Sequence, residues 1–126
     1  MGKYGEVSYL AVQAIMKNGK LRPRQAWAEA AEKIFGEGNT SAKKGCPGSA
    51  FLGLCEAGMV REIPKGKYTR ATKNKEYALK AAALLKADPS LARNASELWR
   101  RITNNEVNHN SQMDVVITLW NKDLLL

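Results

Sequence analysis

Apolar residues recur along this chain at intervals of three and four with polar residues between them, a period that predicts helices rather than strands. From about Lys3 to Asn18, the residues Tyr4, Val7, Ala11, Ala14 and Ile15 fall on one stripe, and Gly19 ends it. A second helix begins at Pro23, suited to a first helical position because its missing N–H would find no partner there anyway. Trp27, Ala30, Ala31 and Ile34 form its buried side, and Gly36 and Gly38 stop it. After the polar loop Asn39 to Gly45, a third helix starts near Pro47, turns Phe51, Leu54, Cys55 and Met59 inward, and is closed by Gly58. Val60 to Thr69 carries Pro64 and Gly66 between short apolar or β-favouring residues, which reads as a turn or small hairpin.

The second half follows the same plan. Tyr77, Ala81, Leu84 and Leu85 make a fourth helix that ends before Asp88-Pro89. Asn94 or Ser96 can cap a fifth, carrying Leu98, Trp99 and Ile102 inward with Arg100 and Arg101 toward solvent. Ser111 followed by Asp114 resembles a capping box for a sixth, whose stripe is Met113, Val116, Ile117 and Trp120. The halves can be laid over one another: Ala14-Ile15-Met16-Lys17 matches Ala83-Leu84-Leu85-Lys86, Trp27 matches Trp99, and Ala50 to Cys55 matches Val115 to Trp120, with Gly58-Met59-Val60 over Asp123-Leu124-Leu125. The offsets are 69, 72 and 65 residues, so the loops alone differ in length.

The expected architecture is therefore all-α: six helices as two pseudo-repeated, helix-turn-helix-like triplets, residues 3–60 and 73–126, with a basic hairpin or linker at 61–72. A length of 126 residues suits one domain. Trp27, Phe51, Leu54, Leu84, Leu85, Trp99, Ile117 and Trp120 should lead the core.

Composition supports a packed core, with 44% hydrophobic and 25% charged residues. The N-terminus, Met1-Gly2-Lys3-Tyr4-Gly5-Glu6, opens no long apolar run, so neither a secretory signal nor a spanning helix is expected and a cytoplasmic location is. Cys46 and Cys55 fall nine residues apart on one predicted helix, about 13 Å along its axis, too far for a disulfide.

Charge changes the picture more. The net charge is +8, and residues 1–72 hold 12 basic side chains against 6 acidic ones. From Arg61 to Lys75 the cations Arg61, Lys65, Lys67, Arg70, Lys73 and Lys75 meet only Glu62. Such a surplus favours a polyanionic partner, and it also serves solubility.

The stretches Lys3-Tyr4-Gly5-Glu6-Val7, Ala26-Trp27, Lys44-Gly45-Cys46-Pro47, Ala50-Phe51-Leu52-Gly53-Leu54-Cys55-Glu56, Ile63-Pro64-Lys65-Gly66-Lys67-Tyr68-Thr69, Asn74-Lys75-Glu76-Tyr77-Ala78 and His109 to Val116 span nearly the whole sequence. In them the chain resembles a family of small bacterial and phage proteins catalogued as a domain of unknown function. That resemblance implies an intact domain and carries no substrate, cofactor or catalytic residue with it.

Two helices, a third preceded by Lys43 and Lys44, then a basic Gly-Pro hairpin is the order of a helix-turn-helix with a wing, in which the third helix enters the major groove. Ser49, Gly53 and Glu56 would then be exposed, with Arg61, Lys65, Lys67 and Arg70 on phosphates. That helix offers almost no base-reading Arg, Asn or Gln, whereas its start, beside Lys43, Lys44 and Ser49, suits an anion. Tyr68 could stack on a base or anchor the hairpin to the core. A different chemistry would pair Cys46, at a helix start, with the single histidine, His109, as nucleophile and base. No zinc spacing, carboxylate pair or phosphate loop is present, so no metal or cofactor is expected. The function expected is noncatalytic binding of nucleic acid or another polyanion. The alternative is a protein-interaction module or host-protein inhibitor that uses Asn108 to Gln112 with Gly45 to Ser49.

Overall fold

The computed structural model describes residues 2–126. Six helices follow in chain order: α1 (Lys3–Lys17), α2 (Pro23–Phe35), α3 (Gly45–Glu56), α4 (Lys73–Ala87), α5 (Ala95–Thr103) and α6 (Gln112–Asn121). Short 3-10 turns occupy Thr40–Lys43 and Pro89–Arg93. The stops are those the sequence supplies. Pro23 opens α2, Gly36 ends it at φ +97°, and Asn94 caps α5 by accepting the Glu97 N–H at 3.0 Å. The capping box at α6 is not formed. Ser111 is left-handed, at φ +68°, and its side chain caps nothing; the His109 Nε2 accepts the Met113 N–H instead, at 3.1 Å.

The buried residues of all six helices form one cluster. Its centre is α3 and α6, whose runs Ala50-Phe51-Leu52-Gly53-Leu54-Cys55 and Val115-Val116-Ile117-Thr118-Leu119 are buried without interruption. A helix apolar on every side has no face to give to water, so its neighbours surround it. Here α4 and α6 pack on α3, while α1 packs on α2 and α6. Trp27, Phe51, Leu54, Leu85, Trp99 and Ile117 are core residues as expected; Leu84 and Trp120 are only partly buried, and Leu98, Met113, Val115 and Leu119 are fully enclosed.

Small residues let these helices meet closely. A Cβ on Gly53 would come within 2.7 Å of the Lys75 Cα, and one on Gly48 within 2.9 Å of the Trp27 Nε1. At the crossing of α1 and α6, a Cβ on Gly5 would overlap the Thr118 hydroxyl, a buried oxygen with no hydrogen-bond partner.

The segment after α3 is irregular rather than a hairpin of strands, and the β structure among the described residues is one isolated bridge, Val60 with Leu125. Around it, the Arg61 N–H donates to the Leu124 carbonyl and the Leu126 N–H to the Met59 carbonyl, both at 2.9 Å. α3 and α6 end alike: Gly58 and Asp123 are left-handed, and the next N–H reaches back five residues, from Met59 to Leu54 and from Leu124 to Leu119. The halves differ elsewhere, since the 3-10 turn lies between α2 and α3 in the first and between α4 and α5 in the second.

Among the described residues no helix is long and apolar enough to cross a membrane. Cys46 and Cys55 share α3 as free thiols, and burial pushes the Cys55 thiol far above its ordinary range.

Candidate functional site

The third helix cannot enter a groove of DNA. Of the positions that reading needs exposed, Gly53 is packed on α4, Ser49 is half-buried, and the Glu56 carboxylate is turned into the molecule with its side chain 14% exposed. Glu56 is instead an anchor. One oxygen accepts the N–H groups of Tyr68 at 2.9 Å and Thr69 at 3.3 Å, and the other meets the Lys75 ammonium at 2.7 Å. The Lys75 hydrogen bond, followed by those from Tyr68 and Thr69, holds this carboxyl well below the usual range, at about 2. The arm Val60–Arg70 is thereby fastened to α3 and α4. Its Ile63 is buried, and the Tyr68 ring folds back over Gly66, its hydroxyl donating to the Pro64 carbonyl at 2.5 Å. Tyr68 is an anchor of the arm and packs against the core.

Fastening the arm brings its cations beside α2. A cleft of about 360 Å³ is lined by Arg22, Arg24, Gln25, Ala28, Lys67 and Tyr68. A second, of about 240 Å³, shares Arg24 and Ala28 with it and reaches over Lys43, Lys44, Gly45, Gly48 and Ser49 to the edge of Trp27. Arg24 bridges the two elements by donating to the Tyr68 carbonyl at 3.1 Å. Among the described residues no carboxylate lines either cleft, and none of Arg22, Arg24, Lys43, Lys44 and Lys67 belongs to an ion pair. The Lys44 ammonium also lies 5.6 Å from the centre of the Tyr4 ring, a cation–π contact that leaves it without a carboxylate partner among the described residues.

The residues singled out in the sequence divide accordingly. Lys43, Lys44 and Ser49 line the second cleft and Lys67 and Tyr68 the first, while Lys65 faces an open groove with Lys67, Lys75 and Glu56. Arg70 is exposed and lines none of these. Arg61 is committed elsewhere: its Nε donates to the Asp123 carbonyl at 2.6 Å and its guanidinium lies 3.5 Å from the Asp123 carboxylate. Arg100 and Arg101 both bind Glu97, at 2.6 and 2.9 Å, and Arg101 also lies 4.0 Å from the Asp88 carboxylate, so the two cations face two carboxylates. Arg22 and Arg24 escaped the sequence reading. Their signal was the triplet Arg22-Pro23-Arg24, two cations flanking a helix start, where the proline alone was used.

The Cys46 and His109 pair does not form. His109 tilts against the Trp99 ring at 5.1 Å between centroids, and its Nε2 lone pair is occupied by the Met113 N–H, leaving no free base on that nitrogen. Among the described residues no group of three or more His, Cys, Asp or Glu side chains could hold a metal ion.

These features define an all-helical protein with two adjoining cationic clefts, in whose linings no carboxylate falls among the described residues, built on α2, the start of α3 and an anchored arm. The chain belongs to a family of unknown function (DUF6979), matched over residues 1–126. No curated protein and no solved structure matches it.

Proposed function

We propose that this protein is a binding protein that grips the phosphate backbone of nucleic acid on the face formed by Arg22, Arg24, Lys43, Lys44 and Lys67. The observation that carries this reading is the pair of adjoining clefts with five cations, no ion pair and no lining carboxylate. Uncompensated cations side by side repel one another and gain most from a polyanion, which releases its condensed counterions as they bind. The contacts available are to phosphate, because the helix that would have read bases is enclosed; binding is therefore indifferent to sequence. The matching ends of α3 and α6 support reading the halves as a duplication in which only the first kept this face.

Fluorescence anisotropy with random duplex and single-stranded DNA and RNA, at roughly 50 and 200 mM salt, tests the reading. Binding should weaken steeply with salt, and each of Arg24→Ala, Lys43→Ala and Lys67→Ala should lower the slope of log affinity against log salt by about 1. Arg100→Ala and Arg61→Ala, which remove cations already held by carboxylates, should leave it unchanged. Absence of binding at the lower salt overturns the proposal and turns the search to a protein partner.

A further inference from the structure

The two tryptophans at matching positions of the halves differ in one respect. The Trp99 indole N–H donates to the Val107 carbonyl at 2.8 Å. The Trp27 side chain is also buried, only 7% exposed, yet its indole N–H has no acceptor among the described residues. It is not sealed off, because the one fully inaccessible side-chain polar atom without a partner among the described residues is the Thr118 hydroxyl oxygen. Trp27 instead lines the cleft over the start of α3, its Nε1 lying 2.9 Å from where a Cβ on Gly48 would stand. A Cβ at position 48 would press on the indole beside its nitrogen, so glycine is what lets Trp27 sit this close to the start of α3.

The helix beneath points donors the same way. α3 has twelve residues and no side chain caps its start. The Gly45 and Cys46 N–H groups find no acceptor among the described residues, Pro47 has no N–H to offer, and a Cβ at Gly45 would meet open space. Lys43 and Lys44 stand at the rim and Ser49 lines the wall. A neutral indole donor, unpaired backbone donors at the positive end of a helix and the side chains of Lys43 and Lys44 line one cleft, with no carboxylate in its lining among the described residues.

We propose that this cleft is a subsite for a single phosphate group, with the Trp27 N–H as its innermost donor and Lys43 and Lys44 supplying the charge. The proposal rests on the reading of the cationic face as phosphate-binding and names the place on it where one phosphate is held by hydrogen bonds as well as by charge. Several oxygens on one anion can each accept a donor, which suits phosphate better than a halide.

The test uses the full chain labelled with nitrogen-15, following the three indole N–H resonances as inorganic phosphate replaces chloride at constant ionic strength. Trp27→Phe, which keeps the ring and loses the donor, assigns the resonance. The Trp27 signal should shift and saturate while that of Trp99 stays still, and Lys43→Ala should weaken the apparent affinity about tenfold, as loss of a hydrogen bond to a charged group does. In the nucleic-acid assay, Trp27→Phe should lower affinity by a similar factor without changing the salt slope, since it removes no charge. A Trp27 resonance unmoved by phosphate overturns the subsite even where DNA binds. A saturating shift with no binding of DNA or RNA keeps the subsite and overturns the wider reading.

Discussion

His109 occupies the loop before α6, and its ring lies on Trp99 while its Nε2 takes the Met113 N–H. Burial lowers its pKa first, the Lys44 charge lowers it further, and Asp114 opposes both. A protonated Nε2 cannot accept the bond, so the cap requires neutral imidazole. Because the folded-state pKa lies below the unfolded value of about 6.5, the unfolded chain takes the proton first. The stability tied to this residue is therefore whole above about pH 6.5 and is lost as the pH falls through the folded value. His109→Ala should lower stability by about 1 kcal/mol at neutral pH, the usual magnitude for a lost helix cap. It should also flatten the fall in urea midpoint between about pH 7.5 and about pH 5.5. An equal fall in the variant would show that other groups carry it. Sequence pointed to Ser111 here because Ser and Asp three apart is the local signature of a cap; the left-handed backbone at Ser111 aims its hydroxyl elsewhere.

At the scale of elements, one carboxylate, Glu56, ties the Tyr68–Thr69 end of the arm Val60–Arg70 to α3 and α4. Glu56 has a depressed pKa, so its contribution is complete above the unfolded value of about 4.3 and disappears as the pH falls toward about 2. Glu56→Gln should release the arm at neutral pH. The Tyr68 and Thr69 N–H groups should then exchange with solvent much faster while amides within α3 and α6 keep their protection, a pattern wild type should show only in strong acid. Unchanged exchange at Tyr68 and Thr69 would mean that the Tyr68 ring and Ile63 hold the arm without the charge. The sequence reading took this segment for a basic turn or small hairpin from Pro64 and Gly66, and it could not find the anchor, because a glutamate at the end of an apolar helix looks like any solvated acid. The same limit explains α3. Its run from Ala50 to Cys55 lacks polar interruption, which is the mark of an enclosed helix, and a two-sided reading that gave it an exposed face overlooked that mark.

For the whole molecule, Trp27 and Trp99 come from different halves and enter one cluster. Trp27 stacks on Phe51 at 5.2 Å, and Trp99 meets the edge of Tyr77 at 5.1 Å. Replacing either with alanine should cost roughly 3 to 5 kcal/mol in urea unfolding, with a single transition in both variants because the halves share a core. A loss under about 1 kcal/mol at both positions would contradict this packing.

The sequence by itself determined six helices, most of their ends and most of the large core residues. Helical period, a proline at a start and a glycine or asparagine at an end act within a few residues of one another and need no distant partner. Which cations are free was decided only by the tertiary structure. Arg61, Arg100 and Arg101 are as basic in sequence as Arg24 and Lys43, but they lie against Asp123 and Glu97. Arg22 and Arg24 meet Lys67 across more than forty residues of chain because Glu56 fixes the arm. Charge belongs to residues, whereas uncompensated charge belongs to a surface, and that surface exists only once the helices have packed.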